Sequence, residues 1–141
     1  MQLFGKWLVL LVATALLGSC SSTPEQELSL EEKLAARGYT LGEEIQSIRG
    51  WNLNGWTYVD DYHFIMKSGV RDRYLISLRT RSINLRSAVF LGFSKTAGSL
   101  TNVDRVVLRD AGGRTERILI DKMYVLEGTK AVQEEEGPEK Q

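Results

Sequence analysis

The chain has 141 residues, with 18 Lys+Arg against 18 Asp+Glu, one His, one Cys and two Pro. That length holds one domain and excludes a multidomain enzyme. With 43% hydrophobic and 26% charged residues, the balance excludes both a disordered solvating chain and a strongly basic nucleic-acid binder.

Residues 1–19 read as a lipoprotein signal peptide. After Lys6, the run from Trp7 to Leu17 carries no charged side chain, which is the length of a signal-peptide apolar region and short for a membrane span. Leu17-Gly18-Ser19-Cys20 follows directly and resembles the bacterial lipobox, where small residues before a Cys admit a signal peptidase and the thiol is acylated. The competing reading is a transmembrane anchor with an incidental Cys. Acylation would consume the only thiol, leaving no disulfide, Cys-based metal site or Cys nucleophile in the mature chain. Two or more acyl chains anchor firmly, since each buried methylene contributes about 0.8 kcal/mol. Ser21, where an Asp would resemble an inner-membrane retention signal, favours the periplasmic face of the outer membrane.

Residues 20–27 form the acylated Cys and a polar tether, in which Thr23-Pro24-Glu25-Gln26 can itself open a helix. Ser29-Leu30-Glu31-Glu32 fits a capping box, Leu30 and Leu34 share a face, and Gly38 is a natural stop, so a helix ending at Arg37 is predicted. Its apolar stripe is thin; it lies against the domain or serves as a stalk.

From Glu43 the pattern turns strand-like. Strands are predicted at Ile45 to Trp51, Trp56 to Val59, His63 to Lys67, Arg73 to Thr80, Val89 to Phe93, Arg105 to Arg109 and Arg117 to Val125. Turns are predicted at Asn52-Leu53-Asn54-Gly55, Asp60-Asp61, Lys67-Ser68-Gly69 and Asp110-Ala111-Gly112-Gly113. One helical turn is expected at Asn84 to Ala88. Alternation from Arg73 to Arg81 points Tyr74, Ile76 and Leu78 one way and Arg73, Leu75, Ser77, Arg79 and Arg81 the other, giving one core face and one wet face. Val106, Leu108, Ile118 and Ile120 supply apolar faces in a closing hairpin. The expectation for residues 28–128 is therefore one mainly β (α+β) domain. It is a small curled antiparallel sheet or partly open barrel of about six to seven strands with an N-terminal helix. Residues 129–141, with Glu134-Glu135-Glu136 and Gly137-Pro138, read as a disordered acidic tail.

Ile45-x-x-Ile48, Gly55-Trp56-x-x-Val59-Asp60, Tyr74-Leu75-Ile76-x-Leu78, Leu85-x-x-Ala88 and Ile120-x-x-Met123-Tyr124-x-Leu126 carry a resemblance to a family of small proteobacterial envelope proteins. It is classed as a domain of unknown function, number six-four-nine-one. Relatives in it often carry one Cys shortly before the Leu85-like position and another two residues before the Ile120-like position, consistent with a disulfide. Those places hold Ser82 and Ile118 here, so the resemblance implies that packing has replaced a covalent staple. It brings no activity, cofactor or catalytic residue.

His63 is the only imidazole, and Asp60-Asp61-Tyr62-His63 puts carboxylates beside it. Sequence neighbours on a strand or turn point in different directions, so a turn closed by Asp side chains competes with a working dyad. With one His and no free Cys, a metal site is limited to oxygen ligands, and the acidic residues are not grouped as a calcium loop. No metal, nucleotide or other cofactor is implied. Trp51, Trp56, Tyr58, Tyr62 and Phe64 make the densest aromatic stretch; Trp56 is assigned to the core, and a binding reading would start at Trp51. Arg73, Arg79 and Arg81 on one strand suit an anionic partner, and Arg105, Arg109, Arg114 and Arg117 flank the closing hairpin. A solvated face that blunts sheet edges is the competing reading. The leading expectation is a non-enzymatic envelope lipoprotein, held to the membrane through Cys20, that contacts an envelope protein or an anionic lipid or glycan. The alternative is a small periplasmic hydrolase or ligand-processing enzyme using His63 with Asp60 or Asp61, which requires those side chains to converge in a concave, partly buried pocket.

Overall fold

The computed structural model of the chain describes residues 27–94 and 98–128. The expected signal peptide, Cys20, most of the tether and the acidic tail lie outside the described residues. The first element is the helix α1 (Leu30–Ala35), and its start is the expected capping box: Ser29 Oγ accepts the Glu32 N–H at 3.3 Å and the Glu32 carboxylate accepts the Ser29 N–H at 2.8 Å. Gly38, at φ 79°, turns the chain out of the helix. Among the described residues no helix is long and apolar enough to cross a membrane.

Nine strands follow: β1 (Tyr39–Ile45), β2 (Ser47–Arg49), β3 (Leu53–Asp60), β4 (His63–Ser68), β5 (Asp72–Leu78), β6 (Ala88–Ser94), β7 (Ser99–Thr101), β8 (Arg105–Asp110) and β9 (Thr115–Gly128). Seven of them form an antiparallel sheet in the order β3-β4-β5-β9-β8-β6, with β1 also on β9, while β2 and β7 make a separate pair. The long β9 organises the barrel-like curl. Its first half pairs with β8, its second half with β1, and its middle with β5. The mainly β architecture with a short N-terminal helix agrees with the expectation.

Three local readings are corrected. The strand expected at Ile45 to Trp51 is two elements, because β1 begins at Tyr39 and takes its ladder from the end of β9, as in Tyr39↔Gly128 and Ile45↔Met123. At Gly42 a Cβ would stand 2.6 Å from the Val125 carbonyl oxygen, so this close strand approach requires glycine. The segment at Asn84 to Ala88 is a hydrogen-bonded turn, Ser87 N–H to Asn84 O at 3.1 Å, rather than a helix.

The third correction concerns the wet face. Phe64, Met66, Ile76, Leu78, Val106, Leu108, Ile118, Ile120 and Met123 fill the interior of the curl, as strand alternation requires. On the opposite face of the sheet Ile65 and Leu75 are equally buried, in a second cluster with Val59, Leu126 and Leu34 of α1. The helix therefore lies against the domain as a lid on the outside of the barrel wall, and Leu75 is core. Ser82 and Ile118 are both buried. Ser82 Oγ donates to the Glu116 carboxylate at 2.7 Å and accepts the Leu85 N–H at 3.1 Å, so polar pairing holds this crossover to β9.

Candidate functional site

β3 and β4 form a hairpin whose tip is Asp60-Asp61-Tyr62-His63, with Asp60 opposite His63 in the ladder. Asp60 Oδ1 accepts the Tyr62 N–H at 2.9 Å, an Asp-closed turn, and lies 2.7 Å from His63 Nδ1. An ionised carboxylate only accepts, so Nδ1 carries the proton. Asp60 Oδ2 takes a third donor, Lys33 Nζ of α1, at 3.1 Å. Burial pushes the Asp60 carboxyl up, but the donors from Tyr62, His63 and Lys33 outweigh it and hold the group below the usual carboxylate range. Of these contacts, the one from Lys33 ties the lid to the hairpin.

Asp61 is held from the other side. Arg81 Nε and Nη2 donate to its Oδ2 at 2.8 and 2.6 Å, and the Tyr58 hydroxyl donates to Oδ1 at 2.8 Å. The Arg81 guanidinium and the Tyr58 hydroxyl keep the Asp61 carboxyl below its ordinary value, while burial and the neighbouring carboxylate push the Tyr58 phenol up. The backbone brings these partners together: Leu78 N–H donates to Tyr62 O and Ser82 N–H to Asp61 O, at 2.8 and 2.9 Å, so the chain leaving β5 is laced to the hairpin tip. Arg86 then lies over the Tyr58 ring, 5.4 Å from its centroid.

Between α1, the hairpin tip and the loop after β5 opens a half-open cleft of about 850 Å³, walled by Lys33, Tyr58, Asp60, Asp61, Arg81 and Arg86. At its rim stand two apolar side chains in water, Tyr62 at 45% and Ile83 at 74% exposure. Asp60 and Asp61 face this concavity, whereas His63 pairs with Asp60 outside its lining. Among the described residues the hydrogen-bond partner of the His63 ring is Asp60, and no serine or threonine hydroxyl engages it. A general base poised against a nucleophile is not assembled there. Among the described residues no group of three or more His, Cys, Asp or Glu side chains gathers to hold a metal ion.

The remaining expected site residues are dispersed. Arg73, at the start of β5, donates to the Asp72 and Val70 carbonyls at 2.9 and 3.2 Å. Arg79 and Arg81 lie beyond the end of β5, and Arg81 is committed to Asp61. The three arginines do not share one strand face. Trp51 is half-buried and packs edge-on against Phe93 with centroids 5.1 Å apart, on the margin of the core. Trp56 also packs on the core, edge-on to Phe64 at 6.5 Å.

A model of a family of unknown function (DUF6491) matches residues 3–140, and the chain belongs to that family. No curated protein and no solved structure matches the chain.

Proposed function

We propose that this family member is a lipid-anchored, non-enzymatic protein of the bacterial envelope that works as a binding module at the periplasmic face of the outer membrane. The anchor rests on Leu17-Gly18-Ser19-Cys20 and on Ser21 as the following residue. The binding role rests on one observation about the cleft. Its acid, base and phenol groups are hydrogen-bonded to one another, while its rim exposes Tyr62 and Ile83. Groups so committed hold a shape, and exposed apolar side chains beside a concavity favour contact with a partner. The hydrolase alternative keeps its Asp60–His63 hydrogen bond, but among the described residues no serine or threonine hydroxyl engages that ring.

Two measurements test this reading. Radiolabelled palmitate should enter the parent chain and not the Cys20→Ser variant, and labelling of both would refute the anchor. For binding, a photo-crosslinker at position 83 in cells should give a discrete adduct that Tyr62→Ser weakens. The same probe at Val70, even more exposed and in the turn between β4 and β5, should give none. Identical adduct patterns at both positions would refute the cleft as the contact site.

A further inference from the structure

The ladder of β6, β8 and β9, with the residue that follows β5, places four arginines on one face that neither the cleft nor the lid uses. Val106, Leu108, Ile118 and Ile120 point into the core, so their strand neighbours point outward. In register, Arg105 stands opposite Leu119, Val107 opposite Arg117, and Arg109 opposite Thr115. The Arg79 N–H donates to Leu119 O at 3.0 Å, one step past the inward Leu78–Ile120 pair, which sets Arg79 beside Leu119 on the same outer face. All four arginines are exposed. Across the third strand, Phe90 stands opposite Arg109 and Gly92 opposite Val107. The Phe90 ring lies across Gly92, where a Cβ would meet it at 3.0 Å, and the Arg109 guanidinium sits 5.5 Å from its centroid.

The face is thus a two-dimensional array of guanidinium groups around Val107, Leu119 and Phe90. Neighbouring arginines sit at diagonal positions about 7–8 Å apart. Among the described residues none of the four has an ion-pair partner. Of the nearby carboxylates, Asp110 accepts the Arg114 N–H, Glu116 points inward to Ser82, and Asp104 accepts from Thr101, while Asp121, two residues past Leu119, is exposed beside Lys122. α1 covers a different part of the barrel wall, over β4, β5 and the end of β9.

We infer that the outer face of β6, β8 and β9 is a docking surface for an anionic phospholipid leaflet. An extended acidic peptide offers carboxylates along one line, whereas a leaflet offers phosphates in two dimensions, which matches the spread of Arg79, Arg105, Arg109 and Arg117 over three neighbouring chain segments. The apolar centre suits the boundary between headgroups and acyl chains, and guanidinium groups bind phosphate through paired N–H donors. The inference rests on the proposed envelope reading only for the presence of a membrane. The arginines add an orientation, holding the barrel with this wall down and leaving the cleft rim on another wall.

The test uses the full chain with vesicles in excess, of phosphatidylcholine alone or mixed with phosphatidylglycerol, and reads phenylglyoxal modification of each arginine by mass spectrometry. Arg79, Arg105, Arg109 and Arg117 should react several-fold more slowly with the anionic vesicles, and the difference should vanish at molar salt as charges are screened. Exposed Arg49 and Arg71, on other parts of the surface, should react equally with both. Val107→Asp should abolish the protection, and Arg105→Ser with Arg117→Ser should weaken it at Arg109 without touching the core. Equal rates for the four arginines with both vesicle types would overturn the inference. So would protection by soluble polyglutamate or glycerophosphate in the absence of vesicles. Flotation with neutral vesicles scores the acyl anchor separately, so loss of flotation with retained arginine protection refutes the anchor and not the docking face.

Discussion

Leu34→Ala tests the two-sided sheet most directly. Leu34 is fully buried although it belongs to a helix of six residues, and it sits on Val59, Ile65, Leu75 and Leu126 from the outer side of the barrel wall. A helix that short has almost no stability of its own, so its docking depends on this side chain and on the Lys33–Asp60 contact. Truncating a fully buried Leu costs about 2–5 kcal/mol, from lost transfer energy and from the cavity left behind. Here the loss is limited by the docking free energy of α1, because the helix can release without unfolding the barrel. A loss of about 2–3 kcal/mol in urea-unfolding free energy is expected, at the low end of that range. Lys33→Ala, which removes one half-buried ion pair, should cost about 1 kcal/mol or less. Hydrogen exchange separates the two modes of loss: in Leu34→Ala the amides of α1 and β1 should exchange faster at denaturant concentrations where the β4–β5–β9 ladder stays protected. If Leu34→Ala changed stability by less than about 0.5 kcal/mol, with unaltered exchange, α1 would be a free stalk and Leu75 would face water.

Other consequences are equally direct. Asp60 and Asp61 titrate below the ordinary value of 3.8 in the folded state. Their contribution is therefore present above that pH and is lost as pH falls through their folded-state values. An Asp60→Asn, Asp61→Asn chain should show lower stability at neutral pH and a flatter acid limb; an unchanged limb refutes the network. Ile76→Ala should cost about 2–5 kcal/mol, while Arg79→Ser should stay within about 0.5 kcal/mol, both read by chemical denaturation. With Cys20 the only cysteine, thermal unfolding should be the same with and without reductant, and a shift would reveal a disulfide between chains. His63→Ala should leave the position-83 crosslink in place; loss of the adduct without loss of fold would bring His63 into the site.

What could be read from the sequence was what neighbours in the chain decide together. Ser29 and Glu32 cap each other over three residues, and the alternation in Tyr74-Leu75-Ile76-Ser77-Leu78 needs no distant partner to read as a strand. Alternation alone puts Leu75 on the wet face, because the cover over it comes from α1, more than a strand's length away in sequence, and alternation is silent about a second layer. Tyr39 to Glu44 escaped for the opposite reason. Gly42-Glu43-Glu44 carries no β pattern, and only the far end of β9 makes that segment a strand. A bulge between Leu41 and Glu44 further hides its period.

The functional surfaces divide along the same line. Asp60-Asp61-Tyr62-His63 was legible as a turn closed by aspartates, yet the groups that complete it, Lys33 and Arg81, come from 27 and 20 residues away. Their arrival changes the chemistry, since a carboxylate that receives three donors is held as an anion and becomes a structural tie. Arg73, Arg79 and Arg81 lie close in sequence, but β5 ends at Leu78 and Arg81 turns away to Asp61. Arg79 instead faces outward beside Leu119 and joins Arg105, Arg109 and Arg117, residues that sequence proximity assigned to a different hairpin. The registers of β9 with β5 and β8, and of β8 with β6, turn those two charge runs into one surface. Single-strand alternation gives each arginine a side, and only the ladder gives the side an area.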